Sequence, residues 1–246
     1  ITITGTNGKS TTCQLLFEVL NGQKTDVRLA GNIGNPILSI KNIKKKTIIV
    51  IEASSYQLEY SKIFRSKYAA ILNLSPDHLE RHKSFNRYIK AKFRLLESQS
   101  KGSLAFVNKN DYKIQKILKS GFFKCKIINV DNKKTNKFLK GISNHFFSTD
   151  SNIENLSFVL EISKALKLKK DLLKKTIQKY KGLKYRQQIV FKKKYLTIIN
   201  DSKSTSFSSS IGILKINSNI YWLLGGIPKK GDKFTLSKKY LYKIKA

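Results

Sequence analysis

Short apolar, β-branched runs recur along the first half of this chain, at 1–4, 27–29, 47–51, 68–72, 104–107 and 126–130. Runs of that length, bounded by glycine or polar residues, read as buried strands. Between several of them, over 10–20, 85–96 and 112–118, apolar positions return every three or four residues, the period of an amphipathic helix. Such alternation predicts an α/β fold, a mostly parallel sheet with helices on both faces. Ligands of these sheets gather beyond the carboxyl ends of the strands. The polar motifs described below all follow strands directly.

From 152 to 180 the pattern becomes that of two packing helices. Ile153, Leu156, Val159, Leu160 and Leu166 mark the first, and Leu172, Leu173, Ile177 and Tyr180 the second. After Gly182 it changes again. The stretches 188–191 and 195–199 read as a pair of strands, with Lys192-Lys193-Lys194 as a solvated turn between them, and 220–224 as a further strand. A domain boundary near residue 184 follows, giving units 1–183 and 184–246. No internal repeat is visible.

The chemistry begins at the first strand. Ile1-Thr2-Ile3-Thr4 runs into Gly5-Thr6-Asn7-Gly8-Lys9-Ser10-Thr11, and a helix opens at the Lys-Ser step. Gly5 and Gly8 permit a tight turn in which successive N–H groups face one anion. The helix adds its positive end. Lys9 has the reach for the terminal phosphates of a nucleotide, and Ser10 offers a hydroxyl to Mg²⁺. The spacing is two residues tighter than the general P-loop. An ordinary strand-to-helix turn would not explain Lys9 followed by Ser10, Thr11, Thr12 and Cys13.

Glu52 closes the apolar strand 47–51 and precedes Ala53-Ser54-Ser55-Tyr56-Gln57. Among only 15 acidic residues, a carboxylate at that strand end reads as a Mg²⁺ ligand, direct or through water, rather than a solvent-facing acid. After the next strand stands Asn73-Leu74-Ser75-Pro76-Asp77-His78-Leu79-Glu80-Arg81-His82. His78, beside Asp77 in a chain with 3 histidines, is a second candidate ligand with Asp77 behind it. Lys92, on the helix 85–96, carries no signal by composition alone.

Composition changes the picture little. The chain has 246 residues and a formal net charge of +34, which invites a nucleic-acid reading. Only six of the basic residues are Arg, however: Arg28, Arg65, Arg81, Arg87, Arg94 and Arg186. Readers of phosphates and base edges favour the guanidinium fork. Lys, Asn, Ile and Phe are spread evenly, a compositional drift rather than a basic patch, so no specific nucleic-acid partner is expected. The charge still steers anionic substrates. No apolar run approaches the roughly 18 residues of a membrane span. Cys13 and Cys125 form no metal pair and fit a reduced, cytoplasmic setting. The absence of methionine suggests a fragment that starts inside a fold, with its C-terminus cut as well.

Taken together, these motifs resemble the Mur ligases of peptidoglycan synthesis. Residues 5–11 are similar to their ATP loop. Asp77 to His82, followed by Ala91-Lys92, is similar to their metal and modified-lysine segment. Gly31-Asn32-Ile33-Gly34, Glu52 to Glu59 and Asn200-Asp201-Ser202-Lys203-Ser204-Thr205 resemble the subgroup that joins D-glutamate to UDP-N-acetylmuramoyl-L-alanine. The resemblance covers nearly the whole chain. It implies a P-loop central ATPase domain followed by part of a Rossmann-like α/β domain, with the nucleotide-sugar domain missing.

By position, the resemblance also implies roles. Gly5, Thr6, Asn7, Gly8, Lys9, Ser10 and Thr11 hold ATP. Ser10 and Glu52 hold one Mg²⁺, while His78 and a carbamylated Lys92 hold a second. Lys9, His78 and Lys92 are thus the catalytic set. Asn152 and Asn155 lie on the adenine side, although Ser151 stands where the family has His. Arg186 approaches the nucleotide, and Asp201 its ribose. Asn32 contacts the muramoyl substrate, Ser54 is a further substrate-binding residue, Lys203 and Thr205 line the closing cleft, and Lys229 lies near the amino acid. A monomer is expected. The implied reaction phosphorylates the substrate carboxylate, and the amine of D-glutamate then displaces phosphate.

Three alternatives compete. A sister ligase or a folylpolyglutamate synthase would carry a different segment at 200–203. A P-loop nucleic-acid NTPase would carry Arg-rich or aromatic strand-binding motifs. A non-catalytic remnant would not retain Lys9, Glu52, His78 and Lys92 together.

Overall fold

The computed structural model of the chain describes residues 1–227 and 232–246. Six strands, β1 (Thr2–Thr4), β2 (Val27–Gly31), β3 (Ile48–Glu52), β4 (Tyr68–Ile71), β5 (Leu104–Asn108) and β6 (Lys126–Val130), form one sheet in the order β2-β3-β1-β4-β5-β6. Every pairing is parallel. β1 lies between β3 and β4, with Thr2 opposite both Ile51 and Ala69. The chain leaves β1 toward one side of the sheet and returns to the other, so the crevice at its carboxyl end is the switch point where ligands bind in such sheets.

Eight helices follow through this part: α1 (Lys9–Gly22), α2 (Ser55–Tyr60), α3 (Leu79–His82), α4 (Phe85–Glu97), α5 (Tyr112–Ser120), α6 (Lys133–Leu139), α7 (Asp150–Ala165) and α8 (Lys170–Lys179). On one face, Leu16, Val19 and Leu20 of α1 pack with Leu156, Val159 and Ile162 of α7, with Leu173 and Ile177 of α8, and with Ile3, Val50 and Ala70 of the sheet. On the other, Leu58, Tyr88, Phe93, Leu96 and Ile114 cover Ala69, Ile71, Ala105 and Val107. Successive strand residues therefore enter opposite cores, which is why the strands are apolar throughout. Each buried Leu, Ile or Phe contributes about 1.5–3 kcal/mol.

Beyond Tyr180 the architecture changes. β7 (Gln188–Lys193) and β8 (Leu196–Asn200) form an antiparallel hairpin, and α9 (Phe207–Ile216) follows. The turn falls at 194–195. Lys192 and Lys193 belong to β7, paired with Thr197 and Leu196, so the expected three-lysine turn is corrected. The strand expected at 220–224 reduces to an isolated bridge between Ile220 and Ile244. Leu223 is 98% exposed and Tyr221 76%, while Trp222 packs against Phe207 and Phe234 and its N donates to Ala246 O at 2.6 Å, so one side of the segment is held and the other is open.

Candidate active site

The loop from Gly5 to Gly8 is held from below by the segment after β4. Thr6 N donates to Asn73 O at 2.9 Å, and Asn7 N to Asn73 Oδ1 at 2.8 Å. Thr6 Oγ1 lies 2.9 Å from Tyr88 Oη and accepts from Ser75 N at 2.9 Å. Gly8 sits at φ 83°, and a Cβ there would strike the side-chain oxygen of Asn155. That oxygen accepts from Thr12 Oγ1 at 3.2 Å, so Asn155 packs directly against the loop.

Lys9 Nζ folds over this loop, donating to Gly5 O at 3.0 Å and Thr6 O at 2.7 Å. Burial lowers its pKa, Arg186 pushes it further, and Glu52 and Asp77 oppose the shift. Ser10 and Thr11 are buried in the first turn of α1.

Glu52 ends β3 beside β1 and is 1% exposed. Its Oε1 accepts from Asn32 Nδ2 at 3.1 Å. Its Oε2 is buried without a hydrogen-bond partner. A buried carboxylate oxygen left so is costly unless a cation or donor arrives. Gly31, at φ 103°, lets the Asn32 segment close on Glu52, because a Cβ there would strike the Glu52 carbonyl. Lys92 reaches the same crevice from α4. Its Nζ donates to Gly5 O at 2.8 Å and to Thr4 Oγ1 at 3.3 Å. Burial, reinforced by Lys9, holds this amine well below the ordinary lysine range.

Ser54 caps α2 reciprocally, its Oγ accepting from Gln57 N at 3.2 Å and its N donating to Gln57 Oε1 at 2.9 Å. His78 caps α3 in the left-handed region at φ 53°. Its Nε2 lies 3.4 Å from Asp77 and its Nδ1 3.7 Å from Glu80. His82 is buried, and burial holds its imidazole below the ordinary value. Among the described residues no group of three or more His, Cys, Asp and Glu stands close enough to hold a metal alone.

The segment after Gly182 closes on this site. Arg186 Nη2 donates to Ser10 Oγ at 3.1 Å. Asn7 Nδ2 donates to Ser208 Oγ at 3.2 Å, and Ser209 Oγ donates to Asn7 Oδ1 at 3.3 Å. Asn152 Nδ2 donates to Phe146 O and to Gln187 Oε1, both at 2.8 Å. Asp201 Oδ1 accepts from Gln187 N at 3.0 Å, so one residue joins Asn152 to Asp201. Lys203 enters through its backbone, N to Tyr185 O at 3.0 Å. Thr205 stands between β8 and α9. Lys229 lies outside the described residues.

Gly5 to Thr11, Glu52, Lys92, Asn155 and Arg186 thus share one crevice. His78 keeps its own neighbours, Asp77, Glu80 and Tyr56. Asn73, Tyr88, His82, Gln187 and Glu154 escaped sequence reasoning as site residues. Glu154 Oε1 accepts from Asn73 Nδ2 at 3.3 Å, and burial raises its pKa. For Asn73 the available signal was its position directly after a strand.

The family model described as Mur ligase middle domain matches residues 3–173. The chain belongs to the Mur ligase family. Within that family it is 36% identical, over its whole length, to a UDP-N-acetylmuramoylalanine–D-glutamate ligase of Rickettsia prowazekii (strain Madrid E), of which it covers 58%. It is 32% identical to the protein of that name in Bartonella henselae, covering 56% of it. The chain therefore spans little more than half the length of these Mur ligase relatives. Among solved structures, a Mur ligase from Thermotoga maritima described as MurF in complex with ADP superposes with a TM-score of 0.66 at 17% identity, over 87% of this chain and 56% of that one. A UDP-N-acetylmuramoyl-L-alanyl-D-glutamate–2,6-diaminopimelate ligase superposes with 0.63 at 20% identity, over 94% and 57%. At those identities the likeness establishes the shared Mur ligase fold.

Proposed function

We propose that this chain is the ATP-binding part, with a segment of the closing domain, of a ligase that adds D-glutamate to UDP-N-acetylmuramoyl-L-alanine. The observation that carries the ligase reading is the convergence of Lys9, the unpartnered Oε2 of Glu52 and the buried Lys92 at the carboxyl end of β1. The choice of substrates rests on the names of the relatives and on the segment from Asn200 to Thr205. Residues 1–183 form the nucleotide-binding unit and 184–246 the start of the closing unit. The protein acts as a cytoplasmic monomer. Among the described residues no helix is long and apolar enough to cross a membrane.

The residues present fit Mg²⁺. Glu52 Oε2 is a buried, unpartnered hard oxygen, and Ser10 adds a hydroxyl near the loop. A donor set short of three protein carboxylates suits an ion that keeps waters and phosphate oxygens. His78 serves a second ion. Lys92 joins it as a carbamate, which requires the neutral amine that burial favours. When bound, the two ions neutralise phosphate charge and polarise the transferring phosphoryl group.

The chain's own residues do the rest. Lys9 leaves the Gly5 and Thr6 carbonyls for the nucleotide phosphates and offsets the charge that grows on the transferring group. Asn73 fixes the loop by accepting from Thr6 N and Asn7 N, which leaves the N–H groups at the start of α1 to orient those phosphates. The substrate carboxylate oxygen bonds to the terminal phosphorus as the bond to ADP breaks. The neutral amine of D-glutamate then bonds to the carbonyl carbon, loses a proton, and phosphate departs. Arg186, Asp201 and Lys203, drawn in from the closing unit, cover the nucleotide and exclude water.

Lys9→Ala in the intact protein tests this reading. Loss of one charge-stabilising donor costs about 100- to 1,000-fold in kcat. Near-normal turnover would contradict it.

A further inference from the structure

Glu52, His78 and Lys92 hang on three separate elements: the end of β3, the cap of α3 and the middle of α4. One buried side chain, His82, meets all three supports. Its Nε2 lies 2.9 Å from Ser55 Oγ, in the first turn of α2, directly downstream of β3. Its ring stacks on Tyr56 with centroids 5.4 Å apart and planes at 19°. The same Tyr56 ring meets His78 at 5.0 Å. From α4, Tyr88 meets His82 edge-on at 5.5 Å. The Tyr88 ring lies 4.7 Å from Lys92 Nζ, and its hydroxyl is the one that holds Thr6.

Ser55, His82 and Glu59 have the outline of a nucleophile, a base and a carboxylate, with Glu59 Oε2 3.8 Å from His82 Nδ1. Chemistry of that kind is excluded by burial. Ser55 is 2% exposed and His82 3%, so no substrate reaches the hydroxyl. What remains is a packed wedge: Nε2 shares a hydrogen bond with the Ser55 hydroxyl, and Nδ1 is buried 3.8 Å from Glu59 Oε2 without a hydrogen-bond partner.

We infer that His82 is a positioning residue, which through Ser55, Tyr56 and Tyr88 fixes the mutual placement of Glu52, His78 and Lys92 and so sets the affinity of the site for a divalent cation. The inference rests on the metal reading given above. Ligands carried by three elements act together only if something locks those elements to one another. Partners that orient metal ligands typically govern affinity about 10- to 100-fold.

The test is Mn²⁺ binding, followed by electron paramagnetic resonance on the intact protein with a non-hydrolysable ATP analogue. His82→Phe keeps the ring and removes both nitrogens. Ser55→Ala removes only the hydroxyl, and carries the test if the first variant does not fold. His82→Phe is expected to weaken Mn²⁺ by about 10- to 100-fold, and Ser55→Ala to weaken it in the same direction. The double variant should be no weaker than His82→Phe, because both changes break one contact. Analogue binding without metal should be unchanged. Wild-type binding with undiminished Mn²⁺ affinity in both variants would overturn the inference alone. A wild-type protein that binds no Mn²⁺ would overturn the metal reading and the inference with it.

Discussion

Arg186 and Ser10, 176 residues apart in sequence, meet through a hydrogen bond of 3.1 Å from guanidinium to hydroxyl. It joins the segment after Gly182 to the first turn of the helix that carries Lys9. A guanidinium at that point adds positive charge beside the phosphate loop, and adds to the burial that chiefly lowers the Lys9 pKa.

Arg186→Ala is therefore expected to weaken nucleotide binding. A hydrogen bond to a charged group is worth about 1.5–3 kcal/mol, which corresponds to roughly 10- to 150-fold in Kd. Titration of the intact protein with a fluorescent ATP analogue measures it. A change within experimental error would remove Arg186 from the nucleotide site.

Lys92 is the second point of attack. Lys92→Ala should cripple turnover, and a short carboxylic acid in the buffer should restore part of it by supplying the missing oxygens. Full activity in the variant, or a bare amine at Lys92 in a metal-bound crystal, would reduce it to a buried structural lysine.

Stability carries its own test at Glu154. Burial raises its pKa above the ordinary glutamate value of 4.5, against the opposing hydrogen bonds from Asn73 and Asn108. The folded state then holds the proton more tightly than the unfolded chain. Stability falls as pH rises from 4.5 through the folded value, and the cost persists above it. Glu154→Gln keeps an acceptor for Asn73 and has no charge to bury. It should be more stable than wild type at neutral pH, with the difference vanishing below pH 4.5. Urea unfolding at several pH values reads the trend, and a variant less stable at neutral pH would contradict it.

The sheet and the phosphate loop were legible in the sequence because their signals are local. Ile48-Ile49-Val50-Ile51 can hardly be anything but a buried strand, and Gly-x-x-Gly-Lys-Ser announces its own geometry. α2 was missed because six residues are too few for a period, although the Ser54 and Gln57 pair is a capping signature. α9 was missed because a serine-rich opening reads as loop. The strand expected at 220–224 failed for the opposite reason. Its residues are apolar, but pairing depends on partners that local sequence does not reveal, and among the described residues it extends only from Ile220 to Trp222. Asn73, Tyr88 and His82 gain their roles only when β4, α3 and α4 meet the loop, so no spacing rule marks them. The place of Asn155, its oxygen against Gly8 and accepting from Thr12, is fixed by the packing of α7 on α1 and carries no local signal.

The most direct measurement is phosphate release from ATP by the intact protein, with each candidate acceptor and amino acid supplied singly and in pairs. Release should require UDP-N-acetylmuramoyl-L-alanine and D-glutamate together, with Mg²⁺, and should yield a product heavier than the acceptor by one glutamyl residue. Faster release with glutamate and a folate, or with L-lysine or diaminopimelate and the dipeptide precursor, would contradict the assignment.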